Sequence, residues 1–352
     1  LNTVDEGLTP AISGPVAVRA ETVKSGDKHL PTLDALRGIA ALMVCWFHFT
    51  NAQFTARFGH FQASGKYGYL GVQIFFVISG FIIPFSLYRA RYRLKSFFRF
   101  MLKRIARLDP PYLASIAVVV LGFWLSSKLP GHAPYQVPWA RVAAHLGYVN
   151  AFVGLPWLQM SYWSLAIEFQ YYIFVGLCFP LLALKRRVSP ALVLGLLGGA
   201  SLLAGKSEAL LPHYLPLFAI GILAFRYKVR LTRGYDTIAA LAVASALAVW
   251  VDGWLQAAMA IAACVAILLI QVNNPLLNFF GAISYSLYLI HVFVGDMVFG
   301  VALRLAPRVE LPSGSLQFIA LALAICAAYV LYRLVELPSR SLAARISYGK
   351  AR

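Results

Sequence analysis

Ten apolar runs, separated by short polar or basic stretches, pattern this chain almost from end to end. They lie near 33–49, 70–88, 112–127, 162–184, 189–205, 212–226, 235–251, 254–272, 281–303 and 316–336. An α-helix needs about 20 predominantly apolar residues to cross a hydrocarbon core of roughly 30 Å. The pattern therefore predicts an all-α, polytopic transmembrane helix bundle of about ten spans. Pro110 and Pro111 predict the start of the third span, because proline is tolerated in a first helical turn. In the second span, Ser79 and Gly80 offer a small surface on which another helix packs closely. The stretch 128–161 holds Pro130, Gly131, Pro134, Pro138 and Pro156 and is the longest connection. Its part 139–152 reads as helical, either re-entrant or interfacial.

Composition agrees with the pattern. The 352 residues are 60% hydrophobic and only 12% charged, with a mean hydropathy of +0.72, whereas soluble domains carry about 25% charged residues. A net charge of +18 raises the possibility of nucleic acid, but the basic residues are grouped between the apolar runs. Fifteen of them fall at 89–107, 185–187 and 226–233, against seven in the opposite loops. This asymmetry is the positive-inside signature, and it predicts cytoplasmic loops at those places, both termini cytoplasmic and no nucleic-acid partner. Residues 1–30 are polar and mixed, lack the order of a signal peptide, and read as a disordered cytoplasmic tail. The membrane domain is expected over 31–345, with a short cytoplasmic tail at 346–352. The chain opens on Leu1 rather than Met, so the numbering need not start at a native terminus. Cys45, Cys178, Cys264 and Cys326 all sit inside apolar runs, which predicts neither a disulfide framework nor a metal site.

Ionisable residues inside the runs are the candidate chemistry, because each costs at least a few kcal/mol at membrane depth unless it is paired or faces a polar cavity. Arg37 and His48 share the first run, eleven residues and roughly 16 Å apart, so Arg37 reaches one membrane face while His48 lies near the midplane. Eleven steps of about 100° also close three helical turns, which puts both on one face. Glu168 lies about 9 Å inside the outer end of the fourth span, among Trp163, Tyr171 and Tyr172. His291 lies in the ninth span after the hydroxyl-rich turns of Ser284, Tyr285, Ser286 and Tyr288. For each of these, a packing role bonded within the bundle stands beside a functional one. The basic segment 89–107, with Lys103, Arg104 and Arg107 at its end, is amphipathic: it suits a helix on anionic membrane lipid and equally a phosphate-bearing ligand. No P-loop, dinucleotide-binding glycine pattern, nucleophile elbow, HExxH or internal repeat is visible.

Taken together, the arginine-x10-histidine spacing of Arg37 and His48, FFVISGF at 75–81, KRIARLDP at 103–110, WSLAIEFQYY at 163–172, SYSLYLIH at 284–291 and VELPSR at 335–340 resemble the acyltransferase 3 family of integral membrane acyltransferases. The resemblance covers about 31–345. It implies transfer of an acyl group, usually acetyl from acetyl-CoA, to a hydroxyl of a cell-surface or exported carbohydrate, less often of a small molecule, without a metal. It also implies a bacterial cytoplasmic (inner) membrane. Some relatives append an extracytoplasmic hydrolase-like domain, and a two-step handover here is expected to need a separate partner.

On that reading His48 is the general base and Glu168 orients it or the acceptor. Arg37, Lys103, Arg104 and Arg107 hold the donor phosphates, and Ser79, Trp163, Tyr171, Ser284, Tyr288 and His291 line the substrate site. Direct transfer and a covalent acyl-histidine stage both remain open, as does oligomeric state. The rival from another class is a secondary transporter or a flippase of a lipid-linked sugar, since His and Glu within ten spans also describe proton-coupled carriers. Against it stands the lack of visible repeats.

Overall fold

The computed structural model describes residues 30–51, 61–130, 134–184, 198–199, 201, 207–305 and 314–348. The expected tail at 1–30, apart from Leu30, and the apolar run at 189–205, apart from three residues, lie outside them. Every other predicted run is helical. In chain order the helices are α1 (Pro31–Asn51), α2 (Gln62–Gly65), α3 (Gly71–Arg89), α4 (Phe97–Ser126), α5 (Trp139–Leu146), α6 (Trp163–Leu182), α7 (Leu211–Lys228), α8 (Gly234–Val251), α9 (Trp254–Leu269), α10 (Pro275–Leu305), α11 (Ser315–Leu331) and α12 (Leu337–Ala344). Tyr332–Glu336 is a π-helical turn that joins α11 to α12. No strand occurs among the described residues. Among the described residues, seven helical segments are long and apolar enough to cross a membrane. The apolar α9 is shorter than those seven, and α7 is 18 residues long but does not join them.

Side-chain size decides which helices lie inside. α3, apolar on all sides, and α7 are both largely buried, as helices enclosed by others are. They cross where Gly80 meets Gly221: a Cβ on Gly80 would lie 2.3 Å from the carbonyl oxygen of Phe218, and one on Gly221 would lie 2.1 Å from that of Val77. The small surface expected at Ser79 and Gly80 is thus used. The outer helices show one narrow face inward. In α8 the buried positions are Thr237, Ala240, Ala244, Ala248 and Val251, while Ile238, Val243 and Val249 are exposed. A buried stripe of small residues with a large apolar outer surface is the sidedness expected of a helix against lipid.

Two elements depart from expectation. Pro110 and Pro111 do not begin a helix. They sit inside α4, which runs unbroken for 30 residues and joins the basic segment to the third apolar run. Proline there removes the N–H groups that would bond the carbonyls of Ala106 and Arg107, loosening the turn without ending it. Arg226, counted as a loop charge, is fully buried in α7 and donates to the carbonyl oxygens of Leu182 and, at 3.1 Å, Leu184. It thereby caps the negative C-terminal end of α6.

The connection after α4 turns back alongside it. Tyr148, whose φ is 57°, donates its hydroxyl to Asp109 Oδ1 at 2.9 Å, seventeen residues and about 26 Å before the end of α4. α5, with only eight residues, is held in this fold by His145. Its Nε2 accepts the Leu158 N–H (3.0 Å), so Nδ1–H donates to the Tyr112 hydroxyl (2.7 Å). Arg141 closes the loop on the carbonyls of Pro156 and Trp157. The helical part expected within 139–152 is thus α5, folded back against α4.

Candidate active site

The closest approach of α1 and α10 sets the first part of the site. Gly38 and Gly281 face each other with no room for a Cβ, since one on Gly281 would lie 2.2 Å from the Asp34 carbonyl. Running together from that point, the two helices bring His48 to His291, with Nδ1 of His48 3.1 Å from Nε2 of His291. His48 Nδ1 is also 2.9 Å from the Val44 carbonyl, and His291 Nδ1 lies 3.0 and 2.9 Å from the carbonyls of Leu287 and Tyr288. His291 is fully buried and His48 is partly exposed. Tyr288 bonds Ser164 across the gap to α6 at 2.6 Å, and its ring lies 5.9 Å from that of His291.

Glu168 forms the second part. Its Oε1 accepts from the Ser79 hydroxyl (2.8 Å) and the Tyr172 hydroxyl (2.6 Å). It is not bonded to His48 among the described residues. α6 starts at the level of Ser115, where Tyr162 meets it at 2.9 Å, roughly 17 Å short of the end of α4. Glu168 therefore faces Ser79 at the middle of α3, beside a narrow pocket lined by Arg104, Leu108, Asp109, Tyr148, Glu168 and Tyr285.

A cluster of arginines makes the third part. Arg107 lies within electrostatic reach of Arg37, Arg104 and Arg340 and of the Tyr172 hydroxyl. Arg104 stacks its guanidinium 5.3 Å from the Phe100 ring and 5.5 Å from the Tyr172 ring and bonds Ser86 at 3.3 Å. Arg340 donates to Glu336 (2.5 Å) and to the Ala282 carbonyl (3.1 Å). The other oxygen of Glu336 takes the N–H and hydroxyl of Ser286. The Nε–H groups of Arg104 and Arg340 are buried with no hydrogen-bond partner among the described residues. Several guanidiniums converging with donors left over are what a phosphate group requires.

The predicted residues thus divide. Arg37, Arg104 and Arg107 come together, as do His48 with His291 and Glu168 with Ser79. Lys103 stays within electrostatic reach of Arg104 and Arg107, but its ammonium bonds the Ile346 carbonyl at 3.1 Å and lies 5.3 Å from the Tyr348 ring, fastening the residues after α12 to α4. Trp163 packs between Phe76 and Tyr214, and the buried Tyr171 stacks 4.0 Å from Phe218. The Ser284 hydroxyl is taken by the Gly281 carbonyl at 2.8 Å. Sequence reasoning passed over Arg340 and Glu336, whose i,i+4 spacing inside VELPSR was the available signal, and Asp109, Tyr148 and Tyr285, which only the folded loop assembles.

The chain is 31% identical over 194 residues to the peptidoglycan O-acetyltransferase OatA of Listeria monocytogenes serovar 1/2a, which is 52% of this chain and 29% of that protein. It is 32% identical over 157 residues to the O-acetyltransferase OatA of Staphylococcus aureus strain NCTC 8325, covering 42% of this chain and 24% of the relative. The chain thus spans less than a third of the length of these curated relatives. No solved structure matches. The acyltransferase 3 family model, described as an acyltransferase domain, matches residues 30–333, and the chain belongs to that family.

Proposed function

We propose that this chain transfers an acyl group, acetyl in the first instance, from acyl-CoA to a hydroxyl of a cell-wall carbohydrate, with peptidoglycan the leading acceptor by likeness to the Listeria relative. We place it in a bacterial cytoplasmic membrane, with about ten spans, both termini cytoplasmic and the membrane domain over 31–345. The observation that carries the reading is the common face of α1: Arg37 belongs to the arginine cluster and, about 16 Å along the same helix, His48 meets His291. A donor held by its phosphates at Arg37, Arg104, Arg107 and Arg340 has its thioester end directed along that face. His48 takes the proton of the acceptor hydroxyl as its oxygen attacks the thioester carbon. The C–S bond then breaks, and the CoA thiolate leaves and takes up a proton. General-base help of this kind is worth about two to four powers of ten in rate. Glu168, held by Ser79 and Tyr172, offers its carboxylate to acceptor hydroxyls beside the narrow pocket.

The test is the full chain in lipid nanodiscs with labelled acetyl-CoA and a panel of glycan acceptors, measuring free CoA and labelled product. Acceptor-dependent CoA release is expected. Movement of a lipid-linked sugar across vesicles without any CoA release would overturn the reading in favour of a flippase.

A further inference from the structure

The hydrogen bonds of the histidine pair determine which nitrogen of His48 does the work. A carbonyl oxygen only accepts, so His291 Nδ1, facing the carbonyls of Leu287 and Tyr288, carries the hydrogen. A neutral imidazole has one N–H, which leaves His291 Nε2 with a bare lone pair. At 3.1 Å from it stands His48 Nδ1, itself 2.9 Å from the Val44 carbonyl. Both neighbours are acceptors, so the hydrogen of His48 lies on Nδ1 and is shared between them. The opposite arrangement, a protonated His291 donating from Nε2, leaves the His48 Nδ1 lone pair against the Val44 carbonyl and a cation without a counter-charge in a fully buried place.

We propose that His291 is a positioning residue for the transfer reaction. It holds His48 in the Nδ1–H tautomer, so that His48 Nε2 is the basic nitrogen presented to the acceptor hydroxyl. This rests on the assignment of His48 as the base and replaces the expectation that His291 lines the substrate site: with both nitrogens engaged, it has no lone pair or N–H left for a substrate. It also explains why a neutral partner suffices. When Nε2 takes the proton, the new charge on His48 is met at Nδ1 by two acceptors already aligned, the Val44 carbonyl and His291 Nε2. The ring planes are kept apart at 60° with centroids 5.0 Å distant, flanked by Phe47 on His48 and by Phe49 and Tyr288 on His291.

The experiment uses the full chain, histidine-labelled with 15N, in nanodiscs, with His48 signals assigned by difference from His48→Asn. Expected in the wild type are a protonated Nδ1 and a bare Nε2 on His48, with nitrogen-to-nitrogen coupling across the hydrogen bond to His291. His291→Gln places an amide oxygen near the lost Nε2 and should keep most of the turnover. His291→Phe should lose about tenfold or more in kcat at an unchanged donor KM, because only the acceptor behind the base is removed. A His48 hydrogen found on Nε2, or His291→Phe with native kcat, overturns the proposal. Should the coupling be present while the wild type releases no CoA with any acceptor, the transferase reading falls and the pairing stands.

Discussion

At His48 the proposed chemistry depends on one imidazole, so His48→Ala is expected to abolish CoA release while acetyl-CoA still binds, and Arg37→Ala to weaken donor binding as well. Calorimetric titration of both variants beside turnover checks this, and a folded His48→Ala with near-native turnover would refute it. Glu168→Gln keeps the acceptor oxygen for Ser79 and Tyr172 but removes the charge. A fall in kcat across the pH range is expected, and full retention excludes a charged role. Arg37 and His48 were legible because helical periodicity needs only one segment. His291 was legible as a buried polar group, but its partner stands 243 residues away, and no local pattern encodes that. Lys103 shares a basic run with Arg104, and in the fold its ammonium is occupied by one carbonyl and one ring.

Among the elements, helix existence was readable from apolar run length and helix ends were not. Pro110 and Pro111 fit a first turn as well as a loosened interior turn, and only the packing of α4 against α6, α10 and α12 selects the second. The α3 and α7 crossing yields a sharper expectation. Gly80→Leu cannot be accommodated against the Phe218 backbone and should destabilise the bundle by about 1–3 kcal/mol or more, read as a lower unfolding midpoint in detergent. The connection between α4 and α6 carries a pH signature. Burial, and then the charge of Arg141, lower the pKa of His145 from 6.5 to about 4. Between those values the unfolded chain binds the proton and the folded chain does not, so stability falls as pH drops through that window and levels off below it. Unfolding midpoints followed from pH 7 to 4 should show this slope, and His145→Gln should flatten it.

For the molecule as a whole, the net charge of +18 and the apolar composition identified the setting, and the grouping of the charges anticipated the arginine cluster. Replacing Arg104 and Arg107 together by Gln is expected to raise the KM for acetyl-CoA at least tenfold with the fold intact, whereas unchanged donor affinity would assign the cluster to lipid headgroups. What the run pattern could not convey is that α7, the most enclosed helix, does not meet the standard of length and hydropathy for crossing a membrane and carries the buried Arg226. That feature bears on how the chain is made. Arg226 stands two residues before the end of α7, where a charge costs less than the about 2.5–3.5 kcal/mol of a helix centre, but the helix as a whole falls short of the hydropathy of a crossing segment, so lipid alone is a poor host for it. α3, which packs along it, and α6, whose carbonyls receive the arginine, both precede it in the order of synthesis. Newly made α7 is therefore expected to leave the translocon into a seat of earlier helices, and a chain begun after residue 184 should carry this segment across the membrane, as a protease-accessible tag after Lys228 would report.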